Sequence, residues 1–124
     1  MFKIIGVIKK ELKNLRNILF KGKKVTRVNA VSLIEENPFN IKYMENEPLS
    51  ITLLAIRKIP QTLAYVEHQA DIICLTCVKL DGLCLKYVHN QTEEICKEAI
   101  KQNPKAIMYV NDENLRKKIE SLAS

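Results

Sequence analysis

Residues 82–104 read GLCLKYVHNQTEEICKEAIKQNP, and much of the chain can be laid over this stretch. Its tyrosine, Tyr87, has counterparts at Tyr43, Tyr65 and Tyr109. The four stand 22 residues apart and are all the tyrosines of the 124-residue sequence. Self-similarity at a period of roughly 20–50 residues marks a repeat architecture. Other columns keep the same register. Five residues before each Tyr come Pro38, Pro60, Gly82 and Pro104. Two before come Ile41, Leu63, Leu85 and Ile107, and one after come Met44, Val66, Val88 and Val110. Further on, Ile51, Ile73 and Ile95 share a column that passes to Lys117. Small residues follow at Ala55, Cys77, Ala99 and Ser121, and then Ile56, Val78, Ile100 and Leu122.

Each unit reads as two short helices. The breaker opens the first, over 82–89 in the third unit, because Pro suits a first turn whose N–H needs no partner. A polar turn follows. Thr92 caps the second helix, and Glu93 and Glu94 favour its positive end. Ile95, Ala99 and Ile100 share one face, and Gln102-Asn103-Pro104 stops the helix. One such unit cannot bury its apolar face alone, so neighbours must stack. The expected fold is all-α: a short α-solenoid of helix-turn-helix repeats with an N-terminal amphipathic helix. Residues 26–124 form the repeat domain, with a half-unit at 26–37 and units at 38–59, 60–81, 82–103 and 104–124. Lys117 and Lys118 then give the fourth unit the polar outer face of a cap. Tetratricopeptide and ankyrin periods are too long, and no Asn ladder supports a leucine-rich repeat. The tyrosines read as packing residues between repeats, with hydroxyls near solvent, rather than as a binding site.

The chain is 47% hydrophobic and 27% charged, which suits one folded domain. Its net charge of +6 is uneven. Residues 1–27 carry nine Lys/Arg against Glu11 alone, a net +8, and the remainder is −2. Within residues 1–25, Ile5, Ile8, Leu12, Leu15 and Leu19 make a narrow apolar seam of the coiled-coil kind. The seam either packs on the first repeat, pairs two copies into a homo-oligomer, meets a partner helix or lies on anionic lipid. Lys9, Lys10, Lys13, Arg16, Lys23 and Lys24 crowd its other faces and are candidate contacts for a protein or a nucleic acid. No apolar run reaches the roughly 18 residues of a membrane span. The start lacks a signal-peptide cleavage site and is too poor in Arg and Ser for a good mitochondrial presequence. Four cysteines without a signal suggest free thiols in a reducing, intracellular compartment.

Cys74, Cys77, Cys84 and His89 have the outline of a Cys3His zinc site. The repeat offers a simpler reading. Each cysteine shares its column with small residues such as Thr52, Ala55 or Ala106, as packed free thiols do. On that reading the chain holds no metal and no cofactor. His68 and His89 fall in turns with no nucleophile nearby, so an enzyme is not expected. Arg57, Lys79 and Lys101 form a basic column. It reads either as a charge ladder for a partner or as cations at helix C-termini.

Residues 82–104 also resemble an uncharacterised family of short tandem helical repeats from giant DNA viruses, phages and some bacteria. Its members look like G-x-A-L-x-Y-V-x-N-Q-T-x-E-I-C-x-x-A-V-K-Q-N. Leu85, Tyr87, Val88, Asn90, Gln91, Thr92, Glu94, Ile95, Cys96, Ala99, Lys101, Gln102 and Asn103 match. The likeness covers about 38–124 and is weakest in the fourth unit. It implies an α-solenoid and no assigned activity. The expected function is protein–protein interaction, as an adaptor or inhibitor of viral or phage origin acting on a host protein in the host cytoplasm. Nucleic-acid binding through the basic arm is the alternative.

Overall fold

The computed structural model describes residues 27–44 and 47–123. The expected N-terminal amphipathic helix, with Lys9, Lys10, Lys13, Arg16, Lys23 and Lys24, lies outside them. The order is α1 (Arg27–Glu36), η1 (Pro38–Tyr43), α2 (Leu49–Lys58), η2 (Pro60–Tyr65), α3 (Asp71–Leu80), η3 (Gly82–Tyr87), α4 (Glu93–Gln102), η4 (Pro104–Tyr109) and α5 (Glu113–Ala123). The fold is an all-α helical repeat, and every described element is a helix.

The first helix of each unit is a six-residue 3-10 helix rather than an α-helix. The residue before each one explains this. Asn37, Ile59, Asp81 and Asn103 are all extended, with φ between −141° and −154°. A following Pro pushes its predecessor out of the α region in three of the four cases. The chain then restarts with tight bonds from residue i+3. Thr62, Cys84 and Ala106 N–H donate to the carbonyls of Ile59, Asp81 and Asn103 at 2.9–3.0 Å. Asn37, Asp81 and Asn103 also accept a side-chain capping bond at 3.0 Å from the amide two residues on. Three residues per turn brings positions i and i+3 onto one side. That is the spacing of Leu63 and Val66 and of Leu85 and Val88, which are buried together.

Successive 3-10 helices pack side by side, η1 to η4, and α1 to α4 do the same. Two layers result, with one continuous core between them. Ile34, Ile51, Ile56, Leu63, Val78, Leu85 and Ile95 are its largest fully buried apolar side chains. Each contributes about 1.5–3 kcal/mol by leaving water. Thr92 caps α4 as expected, its hydroxyl accepting from Ile95 N–H at 3.2 Å.

The fourth unit departs from the 22-residue ruler. The link from 3-10 helix to α-helix is residues 88–92 in the third unit but only 110–112 in the fourth. Asp112 takes over the capping role of Thr92, accepting from Asn114 and Leu115 N–H at 2.9 and 3.2 Å. Every later residue moves two places in register. Ile119 is therefore the buried residue of α5, equivalent to Ala99, while Leu122 is 64% exposed. Lys117 corresponds to Lys97, not to Ile95. Both lysines make the same i,i+4 ion pair, to Glu113 and Glu93. Lys117 and Lys118 are exposed, and Lys118 reaches back to Glu93 at 2.9 Å.

Candidate functional site

Two sets of polar side chains have positions fixed by the repeat. The first closes the seams between units. Gln69 Nε2 donates to the carbonyls of Leu63 (3.3 Å), Val66 (3.2 Å) and, in the next unit, Tyr87 (2.9 Å). Its Oε1 accepts from His89 N–H at 2.9 Å and lies 3.6 Å from Cys74 Sγ. Gln91 repeats this one unit on. It donates to Leu85 and Tyr109 carbonyls (3.2 and 2.9 Å) and accepts from Asn111 N–H at 2.9 Å. One amide side chain thus satisfies main-chain groups on both sides of a seam. The shortened fourth turn has no glutamine in this place. The sequence places both residues in a polar turn and marks Gln91 further only through the family pattern. Their position four after the tyrosine, shared with Glu47, was the available signal.

The second set lies on the outer face of the 3-10 layer. The residue before each tyrosine is Lys42, Ala64, Lys86 and Met108. Lys42 Nζ sits 4.9 Å from the ring centre of Tyr43 and 5.7 Å from that of Tyr65. Lys86 Nζ sits 5.0 Å from Tyr87 and 5.7 Å from Tyr109. Each ammonium therefore bridges tyrosines of two successive units by cation–π attraction. The polar contact with Tyr87 raises Lys86 above the ordinary lysine value. Phe39 meets Tyr65 edge-on at 5.9 Å. Tyr65 is 50% exposed and Met108 65% exposed.

The other sequence candidates fall elsewhere. Arg57, Lys79 and Lys101 are exposed in the last turns of α2, α3 and α4, where cations complement the helix end. Cys74, Cys77, Cys84 and Cys96 are buried free thiols, whereas His89 is exposed. No group of three metal-ligating side chains occurs among the described residues. Cys77 donates to the Pro60 carbonyl at 3.1 Å. Its contact with the Cys84 thiol, and then burial, raise Cys77, and the same contact lowers Cys84. Burial pushes Cys74 and Cys96 up to about 11. For Cys74 and Cys96 the folded state holds its protons more tightly than the unfolded chain. Their contribution to stability is full below the ordinary thiol value of 9.0 and fades as pH climbs through about 11. At pH 7.5 the folded chain is expected to react with a maleimide at least about tenfold more slowly than after denaturation, when all four thiols react quickly. Mass spectrometry of the adducts reads this directly, and fast labelling of Cys74 in the folded protein would contradict the burial argument.

Residues 72–116 match the family described as domain of unknown function (DUF4116). The matched segment runs from α3 to the first turn of α5 and contains the Gln91 seam and the Lys86 bridge. No curated protein and no solved structure matches the chain. No helix of the described residues is long and apolar enough to cross a membrane.

Proposed function

We propose that this chain is a protein-interaction module whose binding surface is the outer face of the 3-10 layer. The observation that carries the reading is the exposure of Tyr65 and Met108 on a face framed by Phe39, Tyr87 and Tyr109. Aromatic residues and Met are enriched where proteins meet. A stack of units offers a continuous surface for such contact. The finer reading is an adaptor or inhibitor of viral or phage origin that acts on a host protein in the host cytoplasm. It rests on the family resemblance of residues 82–104.

The test is capture from an extract of the cells in which the chain occurs. Wild type is compared with a Tyr65→Ser/Met108→Ser variant and a Lys79→Ala/Lys101→Ala variant. A protein held by the wild type and the lysine variant, and lost from the Tyr65/Met108 variant, is expected. Enrichment of no protein by the wild type would remove the reading. A second reading, nucleic-acid contact through the basic arm, draws on the +8 charge of residues 1–27. Duplex binding at low salt that disappears on deleting residues 1–24 would favour it.

A further inference from the structure

The chemistry of the 3-10 face narrows the partner further, given the interaction reading above. The four 3-10 helices, PFNIKY, PQTLAY, GLCLKY and PKAIMY, contain no Asp or Glu. Their charged residues are Lys42, Lys86 and Lys105. The nearest carboxylates in sequence, Glu36, Glu45, Glu67 and Asp81, fall outside these spans. Asp81 is already taken up by Gln61 Nε2 at 2.7 Å and the Leu83 amide at 3.0 Å. The face is therefore cationic and aromatic, and two of its three cations, Lys42 and Lys86, are held in place. Lys42 and Lys86 each rest between two rings, so a ligand meets ammonium groups that have already lost part of their rotamer freedom. Between them in the repeat stands Ala64, exposed and short, beside the half-exposed Tyr65. Met108 closes the row.

We propose that the partner presents an extended acidic segment laid across the 3-10 layer, with one side chain per unit. Carboxylates meet Lys42 and Lys86, and apolar side chains sit over Ala64 and against Met108. Spacing supports the register. Packed helices lie about 8–10 Å apart, and a chain extended as polyproline II advances about 3.1 Å per residue with three residues per turn, so every third side chain faces the same way. One unit then corresponds to about three residues of ligand. Two acidic residues about six apart, with an apolar residue midway, match Lys42, Ala64 and Lys86. Single-stranded nucleic acid is the poorer fit, because its bases need open aromatic faces to stack on. Here the tyrosine rings already carry a lysine ammonium.

The experiment selects displayed random dodecapeptides on the full-length chain and measures the winners by fluorescence anisotropy. Enriched sequences are expected to carry Asp or Glu about five to seven residues apart, with an apolar residue between. Lys42→Glu/Lys86→Glu should weaken binding by about tenfold or more, and Lys42→Gln/Lys86→Gln by about threefold. Lys79→Glu/Lys101→Glu should leave it unchanged, with the helical circular dichroism of all variants unaltered. Absence of acidic enrichment would overturn the proposal. So would loss of binding on reversing only the charges of residues 9–24, or displacement of the peptide by a thymidine oligonucleotide. A cellular partner that binds the Lys42/Lys86 variant normally would defeat this proposal alone and leave the interaction reading standing.

Discussion

Replacing Gln69 by Leu is expected to lower the stability of the fold by about 2 kcal/mol. The side chain donates to three carbonyls and accepts from the His89 amide, across the seam between the second and third units. Leucine fills a similar volume but offers neither donor nor acceptor. The carbonyl of Tyr87 and the amide of His89 then lose their side-chain partner. A main-chain group buried without a partner costs about 1–3 kcal/mol, which applies in part to the half-buried Tyr87 carbonyl and little to the exposed His89 amide. The Cys74 thiol loses its acceptor as well. Gln91→Leu should cost somewhat less, since Gln91 donates to two carbonyls rather than three. Urea unfolding followed by circular dichroism gives both values. A loss below about 0.5 kcal/mol for Gln69→Leu, the scale of an ordinary surface change, would show that water replaces the side chain at no cost.

Gly82→Val is expected to cost about 2–3 kcal/mol, as overpacking does. A Cβ on Gly82 would collide with the Ala99 carbonyl oxygen near the end of α4, and that atom is backbone. Neither group can turn aside by changing rotamer, so η3 and α4 must separate. The Gly82 amide also donates to Gln102 Oε1 at 2.6 Å, a bond between the same two elements that separation would stretch. The other units carry Pro38, Pro60 and Pro104 in this column, so a larger residue is compatible with the repeat at this position. Gly82→Ala should therefore cost less than Val, about 1–2 kcal/mol. Equal stability of wild type and Gly82→Val in thermal melts would contradict the close approach.

Much of this fold was legible because a repeat states its core several times. Leu63, Leu85, Val66 and Val88 appear in fixed columns, and the structure buries all four. The same columns place the cysteines at small core positions, and the structure buries all four thiols. The 3-10 geometry was present as well, in the three-residue step from Leu63 to Val66, but helix-start signals do not separate 3-10 from α. The fourth unit misled because a two-residue deletion in a polar turn leaves the tyrosine period intact while shifting all that follows. Aligning Asp112-Glu113-Asn114-Leu115 with Thr92-Glu93-Glu94-Ile95 would have exposed it. The lysine bridges were not legible. Lys42 and Lys86 are ordinary surface residues until their neighbours' rings are placed beneath them.

The glutamine at each of the two later seams grips the neighbouring unit by its main chain alone, through one carbonyl and one amide. Such a joint is indifferent to the identity of the side chains it joins. A unit could be duplicated, lost or exchanged with another of the same backbone shape, and the seam would re-form without matched substitutions. The outward positions are then free to drift, as Lys42, Ala64, Lys86 and Met108 have in one place of the repeat. The joint separates inheritance of the scaffold from inheritance of the surface, so an array of this kind can change what it recognises while its architecture stays fixed.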